Sequence, residues 1–255
     1  MKNLLEISSL NFSYYTLQGE TPALKNLSFQ VSEHEFLGMI GPSGCGKSTI
    51  LSLIAGILTP TSGTIVHHIQ HHDNHPFFGY MLQKDHLLEW RSIYKNAVLG
   101  LEIHHQLTPE KKAFVNHLLD EYGLSPFKNA RPSELSGGMR QRAALIRTLA
   151  LEPEMLLLDE PFSALDSQTR LSVSEDIYMI LRKEGKSSIL VTHDISEAIS
   201  FCDRVLVLSE RPGTVIKDIP IHLSLDHKTP LAARHAPEFG QYFNELWGEL
   251  HHESD

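Results

Sequence analysis

The sequence has little of what membrane-spanning and secreted proteins need. Its longest apolar stretches, such as Met155 to Leu158 and Val205 to Leu208, fall far short of the roughly 20 residues of a spanning helix. The amino-terminal segment lacks the apolar region and the small-residue cleavage site of a signal peptide. Only two cysteines occur, Cys45 and Cys202, too few for a disulfide scaffold. These features predict a cytoplasmic protein.

Basic residues are also scarce. The chain has 22 Lys and Arg against 31 Asp and Glu, a formal net charge of −9, which disfavours a general nucleic-acid binder that must neutralise phosphates. Hydrophobic residues make up 41% and charged residues 21%, close to ordinary globular usage, so neither disorder nor a coiled coil is indicated. A length of 255 residues predicts one large domain with an inserted subdomain.

The order of hydrophobic patterns predicts an α/β fold. Strands are expected at Leu4 to Ile7, at Leu27 to Val31 and at Phe36 to Ile40, and the last of these runs into a glycine-rich turn followed by a helix. Between about Leu87 and Pro132 the strand signals stop. Helical spacing appears there at Ile93 to Leu101 and again from Pro109, where Thr108 suits an N-cap.

Strands and helices then alternate again, which favours a largely parallel sheet covered on both faces. The predicted elements are a helix at Gly138 to Leu151, a strand at Met155 to Leu158, a helix that Gly185 ends, and strands at Ser188 to Val191 and Val205 to Leu208. Phe239, Phe243, Leu246, Trp247 and Leu250 have the spacing of a final amphipathic helix.

A phosphate-binding loop lies between the strand at Phe36 to Ile40 and the next helix. Its glycines let backbone N–H groups curl around a phosphate, and the following helix directs its positive dipole end at the same anion. Lys47 is expected to reach the terminal phosphates and Ser48 to reach Mg²⁺. Cys45 is interpreted as a small side chain without chemistry. The nucleotide-binding residues predicted here are Gly41, Pro42, Ser43, Gly44, Cys45, Gly46, Lys47, Ser48 and Thr49.

Two acids, Asp159 and Glu160, end the apolar strand that would lie beside the phosphate-loop strand. Ligands collect at the carboxyl ends of parallel strands. Nucleotide hydrolysis needs one carboxylate near Mg²⁺ and another that polarises the attacking water. Asp159 is expected to hold Mg²⁺ through water, and Glu160 to act on the nucleophilic water.

Further motifs resemble the ATPase family of ABC transporters. The segment from Leu135 to Gln141 resembles the family signature, although Met139 stands where the family usually has glutamine. Gln83 resembles the glutamine of the glutamine loop, the segment Ser163 to Asp166 resembles the D-loop, and His193 resembles the switch histidine. The motifs occur in the family's order and cover nearly the whole chain.

The resemblance implies roles for these residues. Gln83 would contact Mg²⁺ and water, and His193 would contact the γ-phosphate, so both join Lys47 and Glu160 in the predicted catalytic set. Asp166 would contact nucleotide, and Tyr14 would stack on adenine. It also implies a P-loop ATPase core at 1–86 and 136–230 with an N-terminal antiparallel β-subdomain, a helical subdomain at 87–135 and a C-terminal helix at 231–255.

A second phosphate cradle predicts a partner chain. Ser136, Gly137 and Gly138 open a helix and can offer a hydroxyl, backbone N–H groups and a helix dipole to phosphate. One nucleotide cannot fill two distant cradles of one chain, so a two-fold pair is the economical arrangement. The resemblance implies the same: an ATP-dependent, head-to-tail homodimer in which each signature closes over its partner's nucleotide.

The segments after Gln83 and around Glu210 look like those of nitrate, sulfonate and taurine importers, and thiamine-precursor importers share them. This resemblance implies an ATPase that powers solute import at the cytoplasmic face of the membrane, with integral permease subunits and, indirectly, an extracytoplasmic solute-binding protein. Trp90 is either simple packing or a contact with the permease. Alternatives are a soluble ABC ATPase acting on nucleic acid or the ribosome, which the acidic charge and the single nucleotide domain oppose, and an exporter ATPase.

A run of histidines at His67, His68, His71, His72 and His75 has spacing that could bind zinc or nickel. No acid or cysteine framework fixes a coordination geometry around it. A solvated loop or β-arm is therefore the favoured interpretation.

Overall fold

The structure, a computed structural model, describes residues 2–17, 19–68 and 77–251. The strands are β1 (Asn3–Thr16), β2 (Gly19–Ser32), β3 (Phe36–Ile40), β4 (Ser62–His67), β5 (Phe78–Met81), β6 (Met155–Asp159), β7 (Ser187–Val191), β8 (Arg204–Leu208) and β9 (Val215–Pro220). The helices are α1 (Lys47–Ile54), α2 (Ile93–Ala97), α3 (Leu99–Ile103), α4 (Pro109–Glu121), α5 (Gly137–Leu149), α6 (Ser167–Lys183), α7 (Ile195–Phe201), α8 (Pro230–Ala233) and α9 (Phe239–His251). Short 3₁₀ turns lie at Ser125–Phe127 and Pro132–Glu134.

The chain divides into two units, Met1–Gln70 with Leu181–Asp255 and His71–Ile180. In the first unit, β1 pairs antiparallel with both β2 and β4. The alternation predicted at Leu27 to Val31 is confirmed, since Leu27, Phe29 and Val31 are buried while Ser28 and Gln30 are exposed. One face of this sheet therefore packs in the core.

The same unit holds a second group of strands in the order β7-β3-β8-β9. β3 pairs parallel with β7 and with β8, and β9 lies antiparallel to β8. All five residues of β3 are buried, as are all five of β7. A parallel strand covered on both faces reads as a continuous apolar run, which explains the sequence pattern here.

In the second unit, β5 pairs parallel with β6, with Met81 opposite Leu158. Gly79 in β5 allows close packing, because a Cβ there would lie 2.5 Å from Thr148 Cγ2. Neither β5 nor β9 was predicted from the sequence. β5 has only four residues, and β9 is a half-exposed edge strand, so neither has a strong period-2 pattern.

The predicted helices are confirmed with small differences. Thr108 caps α4, its Oγ1 accepting from Lys111 N at 3.3 Å. The helical pattern at Ile93 to Leu101 forms two helices, since Val98 leaves the helical conformation at φ −89° and ψ 1°. Gly100 in α3 lies where a Cβ would be 2.8 Å from the Leu151 side chain. The spacing of apolar residues along the chain does not predict that contact.

No helix among residues 2–17, 19–68 and 77–251 is long and apolar enough to cross a membrane. The predicted C-terminal amphipathic helix is confirmed as α9, with Leu246 buried. His71, His72 and His75 of the histidine run lie outside the described residues. His68 Nε2 lies 3.2 Å from a carboxylate oxygen of Glu6, and the described part of the chain contains no metal-holding cluster of His, Cys, Asp and Glu.

Candidate active site

The phosphate loop leaves the carboxyl end of β3 and turns directly into α1. Gly44 has φ 80° and Gly46 has φ 109°, a backbone region that L side chains rarely adopt. A Cβ on Gly41 would lie 2.9 Å from Cys45 Sγ, and one on Gly46 would lie 2.7 Å from a Leu24 methyl group. Around Gly44 no described atom lies within 4 Å of such a Cβ, so that turn of the loop has an open face.

Lys47 is the first residue of α1 and is only 7% exposed. Its Nζ donates to Gly41 O at 2.7 Å and to Pro42 O at 3.0 Å, so the ammonium group lies within the loop. Among the described residues, no side chain caps the amino end of α1, whose cap residue is Gly46. A fixed cation beside uncapped backbone N–H groups is suited to a phosphate group. Ser48 and Thr49 lie in the same first turn.

Tyr14 lies beside this loop. Its hydroxyl is 2.9 Å from Thr49 Oγ1, and the ring of Phe12 packs edge-on against it with a centroid distance of 4.8 Å. The side chain is 40% exposed, so part of its surface is available to a base. The hydroxyl of the next residue, Tyr15, donates to Glu20 Oε1 at 3.4 Å.

Cys45 is fully enclosed in the loop, and burial raises the pKa of its thiol, with Lys47 acting in the opposite direction. A buried thiol with a raised pKa holds its proton at neutral pH. The interpretation of Cys45 as a small packing residue is consistent with this environment.

His193 follows β7 at the edge where the phosphate loop follows β3, because these strands are parallel neighbours and Met39 lies opposite Val191. The turn is well anchored. Thr192 Oγ1 donates to Glu197 Oε2 at 2.6 Å and accepts from Asp194 N at 3.0 Å, and Asp194 caps α7. The His193 side chain itself is exposed at this edge.

The second unit brings Gln83 and Glu160 together. Because β5 and β6 are parallel, the residues that follow them lie at one edge, and Gln83 Nε2 donates to Glu160 Oε2 at 3.1 Å. Asp159, the last residue of β6, is 8% exposed. Glu160 has φ 45°, and its carbonyl accepts from both the backbone N (3.2 Å) and the Oγ (2.9 Å) of Ser163. A left-handed, non-glycine residue held by its surroundings is frequent at functional sites.

The signature residues form the start of α5, also in the second unit. Ser136 is exposed and caps α5, its Oγ accepting from Met139 N at 3.4 Å. Gly138 is buried against α6, where a Cβ would lie 2.7 Å from Val173 Cγ2. Gly137 is less confined, since the nearest atoms to a Cβ there would be the ends of two flexible side chains, Leu165 Cδ2 at 3.0 Å and Arg140 Nη2 at 4.0 Å.

Asp166 precedes α6, and its Oδ1 accepts from Thr169 N at 3.1 Å. Hydrogen bonds with Thr169 lower the pKa of this carboxyl group. The position is that of a helix N-cap, a structural role that the sequence motif did not indicate.

Sequence reasoning missed a polar network between the glutamine loop and α5. Arg140 donates to the Asp85 carboxylate, and Arg147 donates to the carbonyls of Asp85 and His86. An acid two residues after Gln83 and arginines seven residues apart on α5 are visible in the sequence. Their pairing is not, because more than 50 residues separate the partners.

Comparison with known proteins agrees with this fold. The sequence profile of the ABC transporter family matches residues 24–163. An ABC transporter ATP-binding protein of Bacillus subtilis, YtlC, is 43% identical over 249 residues, 97% of this chain and 96% of its own length. The nitrate import ATP-binding protein NrtD of Synechocystis is 40% identical over 247 residues, 95% of this chain and 93% of its own.

A solved structure of the ATP-binding cassette MJ0796, a dimer in a post-hydrolysis state bound to ADP and Pi, is similar to this fold. Its TM-score is 0.72 at 28% identity, covering 86% of this chain and 99% of that one. The fold is that of a P-loop ATPase. The chain belongs to the ABC transporter family, and within it the chain is an ATP-binding subunit that hydrolyses ATP.

Proposed function

We propose that this chain powers the import of a small solute through a separate membrane permease, working as an ATP-dependent, head-to-tail homodimer at the cytoplasmic face of the membrane. The observation that carries the catalytic part is the hydrogen bond from Gln83 to Glu160 at 3.1 Å. It supports a role in which Gln83, the sensing residue of the glutamine loop, contacts the carboxylate that acts on water. Import is supported by the 40% identity to a nitrate import ATP-binding protein over nearly the whole chain.

Nucleotide binding follows from the first unit. The ring of Tyr14 stacks on adenine, the backbone of residues 41–46 surrounds the phosphates, and the Lys47 ammonium group neutralises their terminal charge. Stacking on one aromatic contributes about 1 to 3 kcal/mol by analogy with nucleic-acid platforms. His193 reaches the γ-phosphate from the same sheet edge as the loop.

Ser48, Asp159 and Gln83 would hold Mg²⁺, a hard cation that prefers such oxygen ligands. When bound, Mg²⁺ neutralises charge that develops on the phosphate oxygens. Glu160 orients and polarises the attacking water, and Gln83 keeps its carboxylate in place. The Ser163 bonds to the Glu160 carbonyl hold the backbone that carries this carboxylate.

Closure of the dimer uses the exposed end of α5. Ser136 presents its hydroxyl and the helix N-terminus to the nucleotide bound by the partner chain, with Gly137, Gly138 and Asp166 bordering that contact. The dimeric cassette bound to ADP and Pi supports this arrangement by similarity. We assign residues 1–86 and 136–230 to the nucleotide-binding core, 87–135 to the helical subdomain and 231–255 to the C-terminal helix.

The partners follow from this assignment. Integral permease subunits supply the channel, and an extracytoplasmic solute-binding protein delivers the solute to them. Trp90 is 75% exposed and contacts the permease. The permease and the binding protein select the solute.

Light scattering coupled to size-exclusion chromatography tests the proposal. Glu160→Gln should shift from monomer to dimer with ATP and Mg²⁺ and should lose turnover, because binding is kept while the water is no longer polarised. Glu154→Gln, an exposed acid just before β6, is the matched control and should hydrolyse ATP like the wild type. Rapid hydrolysis by Glu160→Gln would remove its catalytic role, and a monomer at saturating ATP would contradict the dimer.

A further inference from the structure

A single guanidinium group links the signature turn to the glutamine loop. Arg140 Nη1 donates to Leu135 O, the carbonyl just before Ser136, at 2.9 Å. Its Nε donates to Asp85 Oδ2 at 3.1 Å. Arg140 therefore touches both the backbone that positions Ser136 and the loop that begins at Gln83.

The loop is held at several points. Asp85 Oδ1 accepts from Leu87 N at 3.1 Å, so both oxygens of this carboxylate are engaged. Two turns further along α5, Arg147 donates to Asp85 O and to His86 O, both at 2.7 Å. Bonds that involve a charged group are about twice as strong as neutral ones. The segment 85–87 must therefore follow α5 when that helix moves.

Gln83 lies two residues before Asp85, and its amide contacts Glu160. A continuous chain of contacts thus joins Ser136, Arg140, Asp85, Gln83 and Glu160 within one unit. A displacement of α5 reaches the Glu160 carboxylate through charged contacts and a short backbone segment. This transmission does not require one apolar surface to slide along another.

We infer that Asp85 and Arg140 are a positioning pair that transmits closure of Ser136 on the partner's nucleotide to the Gln83–Glu160 contact of the same chain. The inference rests on the proposed function, since closure requires the head-to-tail dimer. Neither residue touches the reacting atoms. They determine when the Glu160 carboxylate reaches the position in which it acts on water.

Asp85→Asn is the sharpest variant, because the amide keeps an oxygen for Leu87 N but places no carboxylate against Arg140. Steady-state hydrolysis by the full-length chain should show kcat lowered about tenfold, as expected for the loss of one charge-assisted contact. The Hill coefficient for ATP should fall from about 2 towards 1, because the two sites no longer communicate. Binding of a fluorescent ATP analogue to the monomer should be unchanged.

Arg142→Gln is the matched control on the same helix. Arg142 lies 3.9 Å from Asp176 and donates to Tyr122 O at 3.3 Å, away from the glutamine loop. This control should keep the wild-type kcat and Hill coefficient. A double variant, Asp85→Asn with Arg140→Gln, should be no more impaired than Arg140→Gln alone, because the contact between Asp85 and Arg140 is already lost in that single variant.

Arg140→Lys is the control for a folding defect in the other variants. It keeps the positive charge, but its single nitrogen cannot reach Leu135 O and Asp85 together. It should retain the melting temperature and still lower the Hill coefficient. If Asp85→Asn and Arg140→Lys both keep wild-type cooperativity, or if the effects of Asp85 and Arg140 variants add, the inference is wrong. A wild-type chain without ATP hydrolysis, or a Glu160→Gln variant that stays monomeric with ATP, would instead refute the proposed function.

Discussion

The side chain of Asn96 makes two hydrogen bonds with the backbone of Leu88: Leu88 N donates to Asn96 Oδ1 at 2.7 Å, and Asn96 Nδ2 donates to Leu88 O at 3.1 Å. The same amide also donates to the carbonyls of Arg91 and Ser92. Asn96 is fully buried, and both its amide oxygen and its amide nitrogen are hydrogen-bonded. This side chain fixes the loop that carries the exposed Trp90.

We expect Asn96→Leu to lower the free energy of unfolding by about 3 kcal/mol, because it removes the acceptor of Leu88 N and the amide group that donates to the carbonyls of Leu88, Arg91 and Ser92. Urea denaturation measures the change. Asn116→Leu is the control, since Asn116 is exposed and bonds only to Lys112 O, and it should change stability by less than about 0.5 kcal/mol. Equal stabilities of the two variants would contradict the anchoring role of Asn96.

Trp90→Ala should release the subunit from membranes, because a large exposed aromatic is a frequent anchor of a protein interface. Tagged chains expressed in the native host would be quantified in the membrane fraction, where we expect about a tenfold loss. Trp247→Ala removes the chain's other tryptophan, 51% exposed on α9, and should remain membrane-bound. ATP hydrolysis by purified Trp90→Ala should match the wild type. Equal membrane retention of both variants would exclude Trp90 as a permease contact.

Lys47→Ala should weaken binding of a fluorescent ATP analogue about 100-fold, because a buried, hydrogen-bonded cation is removed from the phosphate loop. Fluorescence titration measures the affinity, and circular dichroism checks the fold. Lys25→Ala, an exposed lysine of β2, should bind like the wild type. An intact affinity in Lys47→Ala would place the terminal phosphates elsewhere.

Gly137→Ala and Gly138→Ala should differ in stability although both lie in the first turn of α5. A Cβ at position 138 would lie 2.7 Å from Val173 Cγ2, and such overpacking costs about 1 to 3 kcal/mol. At position 137 the neighbour is the end of a flexible leucine, so the gain in helix propensity of about 1 kcal/mol offsets the contact. Thermal unfolding distinguishes them, and equal melting temperatures would contradict the packing role of Gly138.

The two thiols should resist alkylation in the folded chain at neutral pH. Burial raises the pKa of both Cys45 and Cys202, so the reactive thiolate is scarce. Their contribution to stability is complete below the unfolded thiol pKa, about 8.5, and declines as the pH rises above it. Labelling with a maleimide should reach two groups per chain only in urea. Fast labelling of the native chain would show that one thiol is accessible.

The nucleotide motifs could be predicted because each is local. The loop from Gly41 to Thr49 needs only a strand, glycines and a helix in succession, and Ser136 caps the helix that its own segment starts. The alternation of apolar and polar residues likewise predicted part of β2, and the apolar runs predicted β3, β6 and β7. Roles such as the contact of Gln83 with Mg²⁺ and water came from resemblance, since a lone glutamine has no local signal.

The sequence by itself therefore determined most of the strands and helices, the phosphate loop and the cap of α4 by Thr108, because these depend on residues close together in the chain. Only the tertiary structure decided that Asp85 meets Arg140, that Gln83 reaches Glu160, and that Gly138 must remain small against Val173. These contacts join segments more than 30 residues apart, and their partners are selected by strand register and helix packing, which hydrophobic periodicity does not specify.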